Sequence, residues 1–286
     1  MKKTWLLILF FVMPFHSSSR DLVKQSSTIP SNNWVLGLAA GKGKIDSVII
    51  GQSDLALSIV PDIRYYGEKF SLDNLSLDYV LVDKAQYSLS VKSYQNLDGL
   101  YFPGENRETL SAFVGAVPSI RDPNRVDSMI QGIEEPVFVP AIEHKSLSYM
   151  AGLELSYYGD FIANLTYAKD ISNVHLGDEI HLNINKTIKF NKHIFDVKLG
   201  ATYKDAQLAN YYYGYREDNF SWYELEYIAD ETINTFAQLS YSYQFSQQLY
   251  LISTIKKEWL GKGITESPLV NNQKINSTFI GAKWIF

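Results

Sequence analysis

Histidine is the side chain whose charge changes near neutral pH without help, so the five histidines decide whether this chain could do acid–base chemistry. His16 lies in the first twenty residues; His144, His175, His181 and His193 follow. A histidine beside Ser, Asp or Glu can move a proton. His181 is the one candidate, because it alternates onto the same side as Asn183 and Asn185. The plainer reading is a solvated histidine in a row of polar side chains. No Gly-x-Ser-x-Gly elbow and no His-Glu-x-x-His pair occurs, so no residue is singled out as catalytic and none for a cofactor or a metal. There is no cysteine, which removes disulfides and lipoprotein attachment together. Asp54, Asp62, Arg64, Glu154, Asp196 and Lys198 are of mixed sign and suit pairing across an interior wall. They do not make the single-sign ring that would set ion selectivity.

The elements that must position these residues begin with an export signal. Lys2 and Lys3 precede an apolar run from Trp5 to Phe15, and Ser17, Ser18 and Ser19 follow, which is the order of a secretory signal peptide over residues 1–19 with cleavage near Ser19. The run is too short to span a bilayer as a helix, which takes about 20 apolar residues. Cleavage removes two lysines and no acid, so the mature chain of residues 20–286 carries 24 basic against 31 acidic side chains. Nothing in that balance invites nucleic acid. No long apolar run follows residue 20, so membrane-spanning helices are not expected.

The dominant signal is alternation with period two. Leu147, Tyr149, Ala151, Leu153, Leu155 and Tyr157 share one face, and Ser146, Ser148, Met150, Gly152, Glu154 and Ser156 the other. A turn at Gly159-Asp160 leads to Phe161, Ala163, Leu165 and Tyr167 on the apolar side. The same pattern runs through Ile180 to Phe190, through Phe195 to Tyr203 after a turn at Asn191-Lys192, and through Ile233 to Phe245. Weaker strands near 34–41, 54–65, 74–82, 86–95, 221–229, 247–258 and 274–286 bring the count to about twelve. Strands of this length, with tyrosines toward their ends, predict an all-β transmembrane antiparallel up-and-down barrel in outer-membrane lipid. Its last strand carries Ile280, Ala282, Trp284 and Phe286 on one face and closes the chain on an aromatic, like the signal read by the barrel assembly machinery; Trp284 and Phe286 are the candidate assembly signal.

Two stretches resist the pattern. Residues 96–145 hold Pro103, Pro118, Pro123, Pro136 and Pro140 and read as a long loop or inserted lobe. Residues 204–220 contain Tyr211, Tyr212, Tyr213 and Tyr215, either a contact surface for a partner or a girdle or plug against the lumen. Counting back from a periplasmic C-terminus puts both on the periplasmic side, which barrels usually keep short.

Five stretches occur in the order found in the MipA/OmpV family: Pro61 to Phe70, Leu97 to Leu100, Asp170 to Gly177, Tyr211 to Tyr215, and Ser267 to Val270. The chain resembles that family over nearly its whole mature length, departing from about Tyr101 to Ile142, where the family's connection is much shorter. The resemblance implies an outer-membrane barrel and a non-enzymatic scaffold that brings a lytic transglycosylase (murein hydrolase) to a penicillin-binding protein (murein synthase). The alternative is a small-solute diffusion pore, which a barrel of about twelve strands is wide enough to form.

Overall fold

A computed structural model describes residues 32–103, 116–118, 142–216 and 226–286. The expected signal peptide and most of the 96–145 segment lie outside these residues. The strands in chain order are β1 (Asn33–Ile45), β2 (Leu55–Tyr66), β3 (Phe70–Asp73), β4 (Ser76–Asp83), β5 (Tyr87–Gln95), β6 (Ala116–Pro118), β7 (Tyr149–Tyr158) and β8 (Ile162–Asp170). They continue as β9 (Asp178–Phe190), β10 (His193–Lys204), β11 (Tyr215–Arg216), β12 (Glu226–Tyr227), β13 (Thr232–Gln244), β14 (Leu249–Trp259) and β15 (Lys274–Ile285). A 3₁₀ turn covers Asp98–Tyr101, and two helices, α1 (Ala206–Tyr213) and α2 (Lys262–Thr265), lie between strands.

Twelve of these strands form one closed antiparallel barrel. Each pairs with its sequence neighbour, and β15 returns to β1 in the register Gly37↔Ile285 through Ile45↔Ser277, which leaves the sheet without a free end. The small β6 lies on the edge of β2 at Leu55–Leu57, and β11 with β12 makes a separate ribbon.

The alternation read from the sequence is the alternation seen. On β7, Leu153 and Leu155 point outward and are about half exposed, while Glu154 and Ser156 point inward and are buried. Leu165 and Tyr167 on β8, Ile180, Leu182 and Ile184 on β9, Leu199 on β10, Leu239 on β13 and Ile280 on β15 continue the outward apolar belt around the wall. So large an apolar surface on a folded barrel is a lipid-facing surface, since in water it would be an aggregation site. Among the described residues no helix is long and apolar enough to cross a membrane.

Turn chemistry explains two of the tight hairpins. Asn191, between β9 and β10, has φ 52°, and Asn74, between β3 and β4, has φ 50°; asparagine enters this left-handed region at little cost. The expected count of twelve holds, but its membership differs. The strand expected near 221–229 is not part of the wall: only Glu226–Tyr227 there is a described strand, and it pairs with Tyr215–Arg216. Its place in the count is taken by β3, a four-residue strand paired with β4. Removing the extra strand reverses the sidedness reckoned from the sequence. Short turns follow β2, β4, β7, β9 and β13 at the end that carries both termini, where the Phe286 N–H donates to the Leu36 carbonyl at 2.8 Å. The long connections, including those after β5 and β10, all emerge at the opposite end. The parity error came from reading tyrosine-rich alternation as wall where it belongs to a cap.

Candidate functional site

Two features occupy the bore: a polar lumen wall and a packed cap over the end away from the termini. The lumen wall is built from the inward members of each alternating strand. Lys92 donates to Glu154 at 2.8 Å, and Glu154 also accepts from Thr166 at 2.7 Å. Asp62 binds Arg64 through two hydrogen bonds of 2.7 and 2.8 Å and meets the Lys283 ammonium from β15. Asp196 accepts from Asn185 and Thr187 of the neighbouring β9, and Lys256 donates to Glu258 along β14 at 2.9 Å, so the lumen charges are satisfied partly across strands and partly along them. Of the charges expected to pair across the interior wall, Glu154 meets Lys92 of β5, Asp62 meets Lys283 of β15 and Asp54 meets Lys44 of β1, whereas Arg64 meets Asp62 along its own strand and Asp196 takes the neutral donors Asn185 and Thr187.

His181 faces the lumen with Asn183, as its spacing indicated. Its Nδ1 lies 2.9 Å from Thr202 Oγ1, directly across on β10, and its Nε2 lies 3.0 Å from Glu179 Oε1. These are the residue types of a nucleophile, a base and an orienting acid. The geometry does not serve that chemistry: the Nε2–carboxylate contact is too bent to be a hydrogen bond, and Thr202 is buried. Glu179 is instead held by Tyr94 at 2.6 Å and Asn96 at 3.4 Å. The row joins β5 to β9 and β10 beneath the cap.

The cap begins where β10 ends. Asp205 takes a non-helical conformation and its side chain accepts from the Leu208 N–H at 2.9 Å, which starts α1. The helix ends at Gly214, whose N–H returns to the Asn210 carbonyl. Of its eight residues, Leu208, Ala209, Tyr212 and Tyr213 are fully buried. They pack with Val48, Ile49, Phe102, Met150, Ile264 and Leu269, drawn from three other connections and one strand. The Phe102 ring stands 6.1 Å from that of Tyr212 and 6.0 Å from that of Tyr213, within range of favourable aromatic packing.

Polar contacts tie this apolar core to the wall. Lys204, the last residue of β10, is buried against Asp98 in the 3₁₀ turn. The Ser267 hydroxyl donates to the Tyr213 carbonyl at 2.6 Å. The Tyr212 hydroxyl donates to the Ser146 carbonyl at 3.0 Å, and the Tyr211 hydroxyl accepts from the Ser146 N–H at 3.0 Å. Burial pushes the phenols of Tyr212 and Tyr213 above their ordinary range, so both remain neutral.

The structure therefore places the tyrosine cluster inward. Tyr212 and Tyr213 have no accessible area, Tyr215 is buried beside Tyr227, and only Tyr211 keeps partial exposure, under the Lys145 ammonium at 5.2 Å. Trp284 and Phe286 lie at the other end on the lipid face, 44% and 76% exposed, far from the cap. Four of the five stretches that carry the family resemblance converge in the cap: Asp98, the loop from Asp170 to Gly177, the tyrosines, and Ser267 with Leu269. The fifth supplies Asp62 and Arg64 near the opposite end. The buried Lys204–Asp98 pair was not visible in the sequence, because two charges separated by 106 residues carry no local mark of their meeting.

Comparison with known proteins follows the same outline. Residues 36–286 match the family model described as MltA-interacting protein MipA. No curated protein sequence matches the chain. Among solved structures, OmpT, an outer membrane protein of Vibrio cholerae, aligns with 81% of this chain at 11% identity and a TM-score of 0.36. The chain spans 65% of that protein, just under two thirds of its length. An anion-selective porin from Comamonas acidovorans aligns with 90% of this chain and 99% of its own at 7% identity and a TM-score of 0.36. A mutant of the TodX monoaromatic hydrocarbon channel aligns with 90% of this chain and 89% of its own at 8% identity and a TM-score of 0.38.

Proposed function

Because the chain belongs to the MltA-interacting protein MipA family, we propose that it is a non-catalytic outer-membrane barrel that acts as a scaffold, holding a murein hydrolase of the lytic transglycosylase type near a murein synthase. The observation that carries this reading is the stoppered bore. A barrel closed by a core with Tyr212, Tyr213, Leu208 and Ile264 fully buried is built to stay in one shape, which suits an anchor. With the termini in the periplasm, the docking surface on the scaffold is the end bearing the short turns. The tyrosine cluster then serves as plug and leaves partner contact to other residues. Trp284 and Phe286 serve assembly.

The pore is the second reading, favoured by one observation. Below the cap, inward residues such as Asn183, Asn185 and Gln238 keep partial exposure, so water reaches the lumen from the end that bears the turns. Affinity capture of the tagged mature barrel from gently crosslinked envelopes, with an unrelated barrel as control, separates the two. Specific recovery of a lytic transglycosylase or a penicillin-binding protein supports the scaffold. Recovery of assembly factors and abundant barrels alone, with steady conductance of the refolded protein in a planar bilayer, overturns it in favour of the pore.

A further inference from the structure

His175 is a buried histidine that lies outside the polar lumen. It lies in the loop between β8 and β9, buried, with its ring 5.8 Å from that of Tyr212 and 6.1 Å from that of Tyr211 on α1. The protonation state is set by its two partners. Nδ1 accepts the Gly177 N–H at 3.0 Å, so it carries no proton; Nε2 is then the N–H, 2.9 Å from Ser148 Oγ. The Tyr212 hydroxyl shares its one proton between the Ser146 carbonyl at 3.0 Å and Ser148 Oγ at 3.3 Å, so the Ser148 hydroxyl joins His175 to the cap helix. On the other side, Gly177 presses against the start of α1: a Cβ there would stand 2.4 Å from Asp205 Oδ1 and 2.6 Å from the Leu208 nitrogen.

The geometry points to His175 as an acid-operated latch: a second proton on its ring releases the cap made by residues 171–177 and α1, while the barrel wall stays paired. A proton at Nδ1 would face the Gly177 N–H, donor against donor. Four acids face the ring, and each is engaged elsewhere. Asp170 Oδ2, 4.0 Å from Nδ1, already accepts from the N–H groups of Val174, His175 and Leu176, and its Oδ1 from the N–H and hydroxyl of Ser172. Glu179 holds Tyr94 and Asn96, Asp205 caps α1, and Asp98 is paired with Lys204. Release leaves the ladder of β8 with β9 intact, because that ladder closes at Lys169↔Asp178 below the loop, and gives up only the bonds that residues 171–177 make to Tyr149 and Asp170 at the strand ends.

The direction of the pH effect follows from burial. Desolvation holds the His175 pKa below the ordinary 6.5, against the pull of the four acids. The released loop therefore takes up a proton that the closed cap refuses. The closed state keeps its full stability above about pH 6.5 and loses it as the pH falls toward the depressed value.

The test uses the full refolded barrel in lipid vesicles, with amide exchange of Ala206–Tyr213 followed by mass spectrometry and corrected for intrinsic rates. Between about pH 7.5 and 5, protection of these amides should fall several-fold, while β9 and β10 stay protected. In His175→Gln the step should vanish, although His144, His181 and His193 are all still present. If Gln at 175 prevents folding, Ser148→Ala serves: it keeps the titrating ring but unhooks it from Tyr212, so exchange starts high and the acid step shrinks. An acid step of unchanged size in either variant, or none in the parent chain, overturns the latch.

Discussion

Replacing Lys204 with Met should loosen the cap far more than the lost contact alone accounts for. Lys204 and Asp98 are buried, with side chains only 8% and 12% exposed, and each neutralises the other. Removing the ammonium leaves the Asp98 carboxylate in the cap without a counter-charge, which costs about 3–5 kcal/mol, a factor of roughly a hundred to several thousand in the open population. Removing both charges, as Asp98→Leu with Lys204→Met, should cost within about 1 kcal/mol of nothing, because a well-packed apolar pair replaces a buried ionic one at little loss. The two single variants and the double variant make a cycle, read by urea unfolding in micelles and by amide exchange at Asp98–Tyr101. The expected signature is strong coupling, with the double variant more stable than either single one. A Lys204→Met cost below about 1 kcal/mol, or a double variant as unstable as the sum of the singles, would show that the pair is solvated and that the cap is held by its aromatic core alone.

Three further outcomes test other levels of the structure. Ile184→Arg, near the middle of β9 on the lipid face, should cost about 2–4 kcal/mol in vesicles, whereas Asn183→Arg, its inward neighbour, should cost much less; equal costs would contradict the assignment of faces. Gly200→Val should destabilise the wall by about 1–3 kcal/mol in urea titrations, since a Cβ at 200 would stand 2.5 Å from the Phe236 ring; an unchanged midpoint would mean that ring is free to move. Phe286→Ala should lower the amount of barrel assembled in cells while leaving refolding into detergent unchanged, as judged by heat-modifiable migration on gels; a loss in both assays would make the residue structural.

What could be read from the sequence was what has a period. On β7 to β10, β13 and β15, apolar and polar residues alternate with few interruptions, such as Lys186 on the outward face of β9, and both the faces and the hairpin at Asn191-Lys192 follow directly. β3 escaped because a four-residue strand has two residues per face, too few to show a period, and its turn is Asn74-Leu75, which lacks the usual glycine. The site fared differently. Tyr211 to Tyr215 announced themselves by composition, but composition cannot say whether aromatics face a partner or a core. That depends on Phe102, Met150 and Ile264, each unremarkable where it stands in the chain. His175 shows the same limit. Its role rests on Ser148 and Gly177, and only the pairing of β7 with β8 brings Ser148 within reach.

The cap core draws on Val48, Phe102, Met150, Leu208, Ile264 and Ile275, so its members come from nearly the full length of the described chain. None of the connections between strands can form it alone. Each must first be delivered to the same place by strands in correct register, and a slip of one residue anywhere would turn inward side chains to the lipid and carry the connection away. Packing of the cap therefore requires every hairpin to be in place. A protease sampling freshly made barrels would leave intact only those in which every hairpin had been set correctly, and the cell would gain a proofreading step from the same residues that close the bore.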